Sequence, residues 1–212
     1  MMRVLFVGAH TDDIEHGAGG LLCKLIKQQS IDITYLCLSR CTDIPRNATI
    51  LQDQEEVTRF LTSNNVTVAM HDFPNRRLGE HAFEIRELLE SVKEEFKPDL
   101  VITHWIKDIH QDHRLIAEES FRVFRNTSVI SYECTRSSPE FAANYFVDLT
   151  REEVEAKIEL LALYKTQANL YYNKPDVVRA LAIMRGVEVG QAFAEGYSVI
   201  RLIGSGPCAP LP

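Results

Sequence analysis

Three ionisable residues lie within four positions near the start of the chain, directly after an apolar run. His10, Asp12 and Asp13 follow residues 4–7, which read VLFV. A buried strand that ends in such a cluster is costly unless something compensates the charge. A divalent cation would do so, because zinc and other first-row metals take imidazole and carboxylate ligands together. Since His10 and Asp13 are three positions apart, one turn can direct both side chains inward.

A second cluster of the same composition lies in the middle of the chain. His110, Asp112 and His113 come shortly after the apolar run 99–103. His110 and His113 are three apart, which places both on one side of a helix's first turn. Ligands of open parallel sheets bind beyond the carboxyl ends of the strands, so neighbouring strands would bring the two clusters together. We therefore predict a catalytic metal site whose ion offsets the buried carboxylates.

Ordinary roles compete with this interpretation for each residue taken alone. An Asp before a helix is usually an N-cap, and Asp112 could be only that. His16, His71 and His81 are assigned to surface or hydrogen-bonded positions without a ligand role. Two ligand-like clusters at two strand ends favour a metal site over a coincidence of caps.

Short apolar runs alternate with amphipathic segments through the first part of the chain. Strands are predicted over 3–7, 32–38, 66–70, 99–103 and 128–132, and helices over 20–28, 50–64, 80–96 and 112–124. This alternation is typical of a Rossmann-like α/β fold, a mostly parallel sheet with helices on both faces. The metal site is expected at the carboxyl ends of its strands.

The pattern beyond residue 140 is less regular. The predicted elements there are an extended segment over 142–148, helices over 150–164 and 176–185, and a strand over 197–203. Thr150 and Glu153 form a capping box at the start of the first of these helices. Since no repeat or linker divides the chain, residues 1–212 are predicted to form a single domain.

Composition narrows the class of protein. The chain has 212 residues, of which 45% are hydrophobic, and a formal net charge of -7. An acidic chain without a basic cluster is disfavoured as a binder of nucleic acid or of anionic membranes. No apolar stretch approaches the ~20 residues of a membrane span, and the N-terminal run is too short for a secretory signal. We therefore expect a soluble, cytoplasmic protein, with homo-oligomerisation left open.

The cysteines and glycines suggest no further cofactor. Five cysteines, an odd number without a secreted framework, predict free thiols; they are Cys23, Cys37, Cys41, Cys134 and Cys208. Cys37 and Cys41 could be half of a thiolate metal site, but no second pair follows at ligand spacing. Leu22 occupies the third glycine position of a dinucleotide fingerprint, and no Walker lysine is present. Gly17, Gly19 and Gly20 are instead expected to let a helix approach the sheet.

At these residues the sequence resembles the zinc-dependent deacetylase family named after LmbE and the phosphatidylinositol-glycan N-acetylglucosamine deacetylase. The family signature is AHPDDE followed by GG, with a later HxDH. This chain has AHTDDI over 9–14, GG at 19–20 and HQDH over 110–113. The resemblance extends to TH at 103–104, YKTQ over 164–167 and MRGVEVGQAFAE over 184–195, and so spans most of the chain.

The resemblance implies a role for each residue of the two clusters. His10, Asp13 and His113 would hold Zn²⁺, with Fe²⁺ as a second ion that could occupy the site in the cell. Asp12 would be the general base. A protonated His110, oriented by Asp112, would stabilise the oxyanion. The implied reaction removes an acetyl group from the amide nitrogen of a small N-acetylated substrate, an amino sugar or its conjugate, by attack of a metal-activated water.

Three positions depart from the family pattern. Thr11 replaces a proline, so the turn is less rigid. Ile14 stands where a glutamate usually follows the two aspartates, and Glu15 comes one place later. Asp108 occupies a place where some relatives carry a tyrosine that helps to hold the oxyanion. These departures put the roles of the glutamate and of the tyrosine in doubt.

Other functions remain open at this stage. An amidase acting on another small amide or thiol conjugate, or an inactive metal- or ligand-binding member, would share the same residues. Two histidines and a carboxylate also suit a non-haem iron oxygenase, which has no need of a proton-transferring Asp12. The loop residues Arg40, Arg46, Arg76 and Arg77 could contact an anionic group such as a phosphate, but each taken singly is assigned to solvent.

Overall fold

One mixed sheet forms the centre of the molecule. The computed structural model describes residues 1–44 and 49–204. The seven strands are β1 (Met2–His10), β2 (Ile31–Ser39), β3 (Val66–Met70), β4 (Leu100–His104), β5 (Ser128–Tyr132), β6 (Tyr145–Asp148) and β7 (Ala194–Arg201). Their order is β3-β2-β1-β4-β5-β7-β6, with β1 to β5 parallel and β7 antiparallel to both of its neighbours. The predicted, mostly parallel sheet is confirmed. Because this sheet runs through all seven strands, we propose that the chain forms one domain.

Helices cover both faces of the sheet, as the Rossmann-like pattern predicts. They are α1 (Asp13–Leu25), α2 (Ile50–Ser63), α3 (Ala82–Phe96), α4 (Gln111–Val123), α5 (Arg151–Ala162) and α6 (Pro175–Glu188). One buried apolar cluster joins the sheet to α1, α2, α5 and α6, and a second joins it to α3 and α4. The predicted capping box of α5 is present, with Thr150 and Glu153 each bonding the other's backbone. Within the described residues, none of these helices has the length and apolarity to cross a bilayer.

The two motif-bearing strands are neighbours. Val4 of β1 pairs with Leu100 of β4, and Phe6 pairs with Ile102. The chain runs outward in opposite directions from this pair, so the crevice beyond their carboxyl ends is a topological switch point, where α/β proteins bind ligands. His10 and His104 are the last residues of the two strands. This adjacency is what brings the two ionisable clusters together.

Helix α1 begins seven residues earlier than predicted and is broken in the middle. Its first turn starts at Asp13, and Ala18 has a non-helical φ of -142°. The first segment is therefore too short to show a helical period in the sequence, and only the part after the break has the expected apolar spacing. The break leaves carbonyl groups at the end of the first segment and amides at the start of the second without helical partners.

A buried ion pair satisfies both ends at this break. Lys157 of α5 donates from Nζ to the His16 carbonyl at 2.6 Å and to Oε1 of Glu195 at 2.7 Å. Glu195 of β7 accepts the amides of Gly20 and Leu21 at 2.8 and 2.7 Å. A cation thus lies at the carboxyl end of one segment and an anion at the amino end of the next, as the helix dipoles favour.

Gly17 allows α1 to lie directly on β5. A Cβ atom at this position would be 2.0 Å from Cδ2 of Tyr132, which no side chain can occupy. The Tyr132 hydroxyl in turn donates to the Val7 carbonyl at 3.0 Å. The glycines after the first cluster therefore serve close packing, as predicted.

The cysteines behave as free thiols where the structure describes them. Cys23, Cys37, Cys41 and Cys134 are buried and unbridged, while Cys208 lies outside the described residues. Burial raises the pKa of the Cys41 thiol to about 12, which disfavours the thiolate that a metal would need. Among the described residues, Cys37 and Cys41 join no cluster of metal-ligand type.

Removal of one member of the Lys157–Glu195 pair should destabilise the fold strongly, because both side chains are buried and the other would lose its countercharge. We expect Lys157→Met to lower the free energy of unfolding by about 3–5 kcal/mol, since it leaves the Glu195 carboxylate without its countercharge. Adding Glu195→Gln should cost much less than its separate effect, because it removes that charge. Urea denaturation followed by circular dichroism measures both.

The matched control is Lys24→Met, whose partner Asp148 has a 72% exposed side chain. An exposed pair of this kind contributes at most about 1 kcal/mol. A Lys157→Met variant no less stable than the Lys24→Met variant would contradict the assignment.

Candidate metal centre and active site

His10 and Asp13 are brought together by a tight turn at the end of β1. Asp12 between them adopts a left-handed conformation with φ 75°, which reverses the chain before α1 begins. The His10 amide donates to Oδ2 of Asp13 at 2.7 Å, and His10 Nδ1 lies 3.3 Å from the same oxygen. The imidazole and the carboxylate therefore face the same point, as the spacing predicted.

His113, in the first turn of α4, completes a set of three donors. Its Nε2 lies 3.3 Å from Nδ1 of His10 and 3.4 Å from Oδ1 of Asp13. Ligand atoms about 2.0–2.1 Å from a tetrahedral zinc ion stand about 3.3–3.4 Å apart. These three side chains, named here the donor triad, place two imidazole nitrogens and the two oxygens of Asp13 at separations compatible with a zinc-sized ion.

A carboxylate orients each histidine of the donor triad. Nε2 of His10 is 2.9 Å from Oδ2 of Asp112, and Nδ1 of His113 is 3.1 Å from Oδ2 of Asp108. Each outer nitrogen donates its proton to its carboxylate, which sets the tautomer and leaves the other nitrogen's lone pair directed into the triad. This carboxylate–histidine arrangement is common behind metal ligands.

The electrostatics of the triad favour a positive charge at its centre. Burial lowers the pKa of His113, but the charge of Asp13 and the bond to Asp108 outweigh it, and the pKa lies well above its ordinary value. Conversely, His113 and His104 hold the pKa of Asp13 well below its usual range, against the effect of its burial. When His113 is protonated, these groups attract one another, and a bound cation would take the place of that proton.

Asp112 contacts the His110 ring through its backbone amide, whereas its carboxylate has another partner. The Asp112 carboxylate bonds His10 and accepts the amides of Arg76 at 2.6 Å and Leu78 at 3.3 Å. Its own backbone amide, not its carboxylate, contacts Nδ1 of His110, at 3.2 Å. The reason is that His110 is the N-cap of α4 and its ring accepts one of the unpaired amides of the first turn. Asp112 therefore orients a donor of the triad.

The protonation state of His110 also differs from the expectation. Burial, together with His113 and His10, lowers the pKa of His110 to about 4, so its ring is neutral near pH 7. Because Nδ1 accepts the Asp112 amide, the ring proton resides on Nε2. His110 is thus a neutral hydrogen-bond donor held by its capping bond, and it stacks on His113 with ring centroids 4.3 Å apart.

Asp12 lies in the same cleft with its carboxylate free of capping bonds. Although it occupies the N-cap position of α1, its side chain makes no capping hydrogen bond. Burial, followed by the charges of Asp13 and Glu15, raises its pKa well above the ordinary value. A raised pKa makes this carboxylate a stronger proton acceptor than an ordinary aspartate.

Asp108 is a functional residue that the sequence analysis missed. It is 1% exposed, and its Oδ2 accepts the hydroxyls of Ser137 and Ser138 at 2.9 Å each, in addition to its bond with His113. Its Oδ1 accepts the His110 amide at 2.8 Å. The family pattern marks this position only by its lack of a tyrosine. A carboxylate five residues before a ligand histidine was the available signal.

His104 stacks on the triad and uses its own nitrogen elsewhere. Its Nε2 accepts the Ala9 amide at 2.9 Å, and its ring lies 4.0 Å from that of His113. Burial lowers the pKa of His104 to about 4, so the ring is neutral. His104, Asp108, His113 and Cys134 form a second cluster of ligand-type atoms. Since Asp108 is already saturated with donors, this cluster serves as a hydrogen-bonded support.

The departure at Ile14 and Glu15 has a structural explanation. Ile14 is fully buried in the apolar core, while Glu15 is directed at two tyrosine hydroxyls. Tyr35 of β2 donates to it at 3.0 Å, and Tyr164, just after α5, donates at 2.9 Å. Burial raises the pKa of Glu15 to about 7. Glu15 therefore ties the first turn of α1 to two other elements.

The three remaining histidines fall outside the donor triad. His71 is half-buried with a pKa lowered by burial, and His81 lies 3.6 Å from Glu84. His16 lines the cleft, and burial together with Lys157 lowers its pKa to about 4. Within the described residues its Nε2 has no hydrogen-bond partner.

The donor triad opens into a cleft of about 410 Å³. Arg76, Arg136 and Tyr172 belong to three loops that line it, following β3, β5 and α5. From the loop after β2, Cys41 and Ile44 line the cleft. This volume is within the range of roughly 300–1,000 Å³ that small-molecule sites occupy.

The four arginines considered in the sequence have different positions. Arg40 is paired with Asp72 and Arg77 with Glu80, so their charges are compensated. Arg76 lines the cleft. Arg46 lies outside the described residues.

Comparison with known proteins agrees with this geometry. The sequence pattern of the family described as "PIG-L: GlcNAc-PI de-N-acetylase" matches residues 5–124, a segment that contains both ionisable clusters. N,N'-diacetylchitobiose deacetylase from Pyrococcus horikoshii is similar in fold, with 20% identity over 93% of this chain and 83% of that one and a TM-score of 0.73. The zinc-inhibited form of the teicoplanin deacetylase Orf2 has 14% identity, coverage of 92% and 97%, and a TM-score of 0.76.

The same fold also carries a different named reaction. The 4-carboxy-2-hydroxymuconate hydratase of Pseudomonas putida KT2440 matches 99% of this chain and 100% of its own, with 17% identity and a TM-score of 0.71. At such identities the structural likeness establishes the fold, and the family assignment rests on the sequence pattern over more than half of the chain. The resemblance found in the sequence and the predicted class of enzyme, a hydrolase that removes N-acetyl groups, are confirmed. The chain belongs to the GlcNAc-PI de-N-acetylase family.

Proposed function

We propose that this protein is a zinc-dependent hydrolase that removes the acetyl group from the amide nitrogen of a small N-acetylated amino sugar or its conjugate. The observation that carries the proposal is the donor triad, with nitrogen and oxygen atoms 3.3–3.4 Å apart. Beside it lie the free carboxylate of Asp12 and the neutral donor His110. The family description and the names of the deacetylases of similar fold support an acetylated sugar as the substrate class.

His10, Asp13 and His113 would hold the ion. Two imidazoles and one carboxylate with an open fourth position form a donor set of the kind found in catalytic zinc sites. When bound there, the ion would polarise the acetamide carbonyl and lower the pKa of a water molecule to about 7. Fe²⁺ accepts the same donors, and elemental analysis distinguishes the two.

Asp12 is the proposed general base. Its carboxylate lines the cleft next to Asp13, so it can take the proton of the attacking water and later pass it to the leaving amine. The left-handed turn at Asp12 holds this carboxylate at the mouth of α1 without a capping bond. The charge of the bound ion would offset part of the raised pKa and keep the base ionised near neutral pH.

His110 is the proposed donor to the carbonyl oxygen. As negative charge develops on that oxygen, the Nε2–H of the neutral ring can donate to it. The capping bond from the Asp112 amide fixes the tautomer, and the stacking on His113 fixes the plane of the ring. The donor is therefore in place before the substrate binds, which avoids a reorganisation cost.

The alternatives predict different products. An amidase acting on another small amide or a thiol conjugate would use the same triad and release a different acid, which product analysis identifies. An inactive binding member would have no need for a free carboxylate at Asp12 or an oriented donor at His110. Both groups are in place, which favours catalysis.

The first of three predictions about this site concerns the metal ion and the general base. We expect about one zinc ion per chain after reconstitution, and acetate release from a panel of N-acetylated amino sugars. Asp12→Asn should retain the zinc but lower kcat by roughly 10²–10⁴-fold, because a positioned general base contributes that much. Elemental analysis and acetate quantification measure the two. Full activity in the Asp12→Asn variant would remove Asp12 from the mechanism, and a failure to bind zinc would overturn the donor triad.

The second prediction separates the catalytic role of His110 from its capping role. His110→Ala should lower kcat by roughly 10²–10³-fold and also lower the free energy of unfolding by about 1 kcal/mol, through loss of the cap. His110→Asn is the matched control, because asparagine is a good N-cap but its shorter side chain lacks the Nε2–H. We expect it to restore stability and not kcat. Restoration of both would show that capping alone explains the residue.

The third prediction tests the orienting carboxylates. Asp108→Asn and Asp112→Asn should each weaken zinc binding by about 10–100-fold. The neutral amide of asparagine is a weaker acceptor than a carboxylate for the outer N–H of His113 or His10. Competition with a chromogenic chelator measures the affinity. Asp72→Asn, which alters an exposed carboxylate paired with Arg40, is the control and should bind zinc as the wild type does. Equal affinities in all four proteins would exclude this role.

A further inference from the structure

The helix that follows the general base does not hold its carboxylate in place. Asp12 occupies the N-cap position of α1, but its side chain makes no capping hydrogen bond. Without a fixed partner, such a side chain can occupy several rotamers. Misplacement of a catalytic group by about 1 Å can lower a rate by up to roughly 10²-fold. The orientation of Asp12 therefore depends on a group from another part of the fold.

Asn173 supplies such a group from the segment between α5 and α6. It is the last residue of a short 3₁₀ helix, Tyr171–Asn173. Burial and the charge of Asp13 are the strongest influences on the pKa of Asp12, and both raise it. A hydrogen bond from the Asn173 side chain acts in the opposite direction. Because only a donor stabilises an ionised carboxylate, the carboxamide directs an N–H towards Asp12.

His16 is a second neighbour of the same carboxamide. Burial and Lys157 lower the pKa of His16 to about 4, and a hydrogen bond with Asn173 is one of the interactions that oppose them. Nε2 of His16 and Oδ1 of Asn173 are two of four side-chain atoms, among the described residues, that are shielded from solvent without a hydrogen bond of standard geometry. Buried polar atoms are nearly always paired. A ring N–H and an amide oxygen left over side by side are complementary.

Other contacts hold both side chains near Asp12. The ring of His16 packs on the ring of Tyr172, with centroids 5.0 Å apart. Nδ2 of Asn173 donates one proton to the Gln167 carbonyl at 3.2 Å. Since an amide nitrogen carries two protons, the second remains for Asp12, while Oδ1 remains for His16. The carboxamide thus has one suitable partner for each of its three hydrogen-bonding positions.

We propose that Asn173 is a positioning residue for the general base, with Nδ2 donating to Asp12 and Oδ1 accepting the Nε2–H of His16. This inference rests on the proposed deacetylase function and adds two residues to the same site. A bond to one carboxylate oxygen of Asp12 leaves the other oxygen for the attacking water. Asn173 is not among the described residues that line the cleft, so it acts through Asp12 and not on the substrate. It also lies beyond residues 5–124, outside the matched family pattern.

Acetate release by the zinc-loaded full chain, with rates normalised to bound zinc, tests the proposal. Asn173→Ala should lower kcat by about tenfold or more and leave KM near its wild-type value, because it disturbs the base and not the substrate contacts. In the Asp12→Asn background the same change should have no further effect, since the carboxylate that it orients is absent. Asn64→Ala is the matched control and should keep the wild-type kcat. The Asn64 amide likewise donates to a backbone carbonyl, that of Phe60 at 2.8 Å, but Asn64 is not part of the cleft wall.

A second variant separates the two bonds of the carboxamide. Asn173→Asp keeps the shape of the side chain and the oxygen for His16, but replaces the N–H that faces Asp12 with a carboxylate oxygen. We expect its kcat to fall at least as far as that of Asn173→Ala. A wild-type kcat in either Asn173 variant, or an equal loss in the Asp12→Asn background, would overturn the inference and leave the deacetylase standing.

A spectroscopic measurement decides the pairing even if no glycoside releases acetate and the proposed function fails. Long-range ¹H–¹⁵N spectra of the full chain with labelled histidine show which ring nitrogen of each of the seven histidines carries a proton. We expect the His16 signal, identified by its loss in His16→Phe, to show an Nε2–H that exchanges slowly with solvent. This proton should exchange faster in Asn173→Ala and stay protected in Asn173→Asp. An Nε2 without a proton, or an exchange rate unchanged in Asn173→Ala, would overturn the pairing.

Discussion

The structure is organised around one unfavourable juxtaposition, in which two imidazole lone pairs and a carboxylate are held 3.3–3.4 Å apart. Their mutual repulsion must be offset by a positive charge, either the proton that the raised pKa of His113 favours or a bound cation. The fold opposes that repulsion from outside, because Asp108 and Asp112 bind the far nitrogens of His113 and His10 and keep both rings directed inward. The binding free energy of a cation is therefore prepared in the folded chain.

The strands, turns and helices around the donor triad hold its three side chains in place. The neighbouring strands β1 and β4 end side by side, and the left-handed turn at Asp12 lets a carboxylate follow His10 closely. Because α1 is broken, its first helical turn can follow directly from the left-handed residue Asp12. Lys157 and Glu195 bond the backbone groups that the break exposes. Glu15 anchors the same turn to Tyr35 and Tyr164. These contacts thus offset the unfavourable free energy of holding the donor triad together.

Much of this arrangement could be predicted from the sequence. The strands, the later helices and the capping box of α5 are predicted by the spacing of apolar residues and by residue types typical of helix ends. Both signals depend only on residues close together in the sequence. The approach of the two ionisable clusters follows from the parallel pattern. The break at Ala18 could not be predicted, because it depends on an ion pair between residues 157 and 195, far away in sequence. The bond between the Asp112 carboxylate and His10 could not be predicted either, because it joins residues 102 positions apart.

The capping bond of His110 also explains how one short motif can perform three tasks. The amide of Asp112 fixes the tautomer of His110, its carboxylate orients His10, and the helix that begins there presents His113 to the triad. Because the three tasks use different atoms of one helical turn, a change in the start of α4 would disturb the donor, the ligand and its support together. The segment beyond residue 124 contributes Ser137 and Ser138, whose hydroxyls donate hydrogen bonds to the Asp108 carboxylate. Both ionisable clusters thus lie in the matched family segment, whereas the loops that carry Arg136 and Tyr172 lie beyond it.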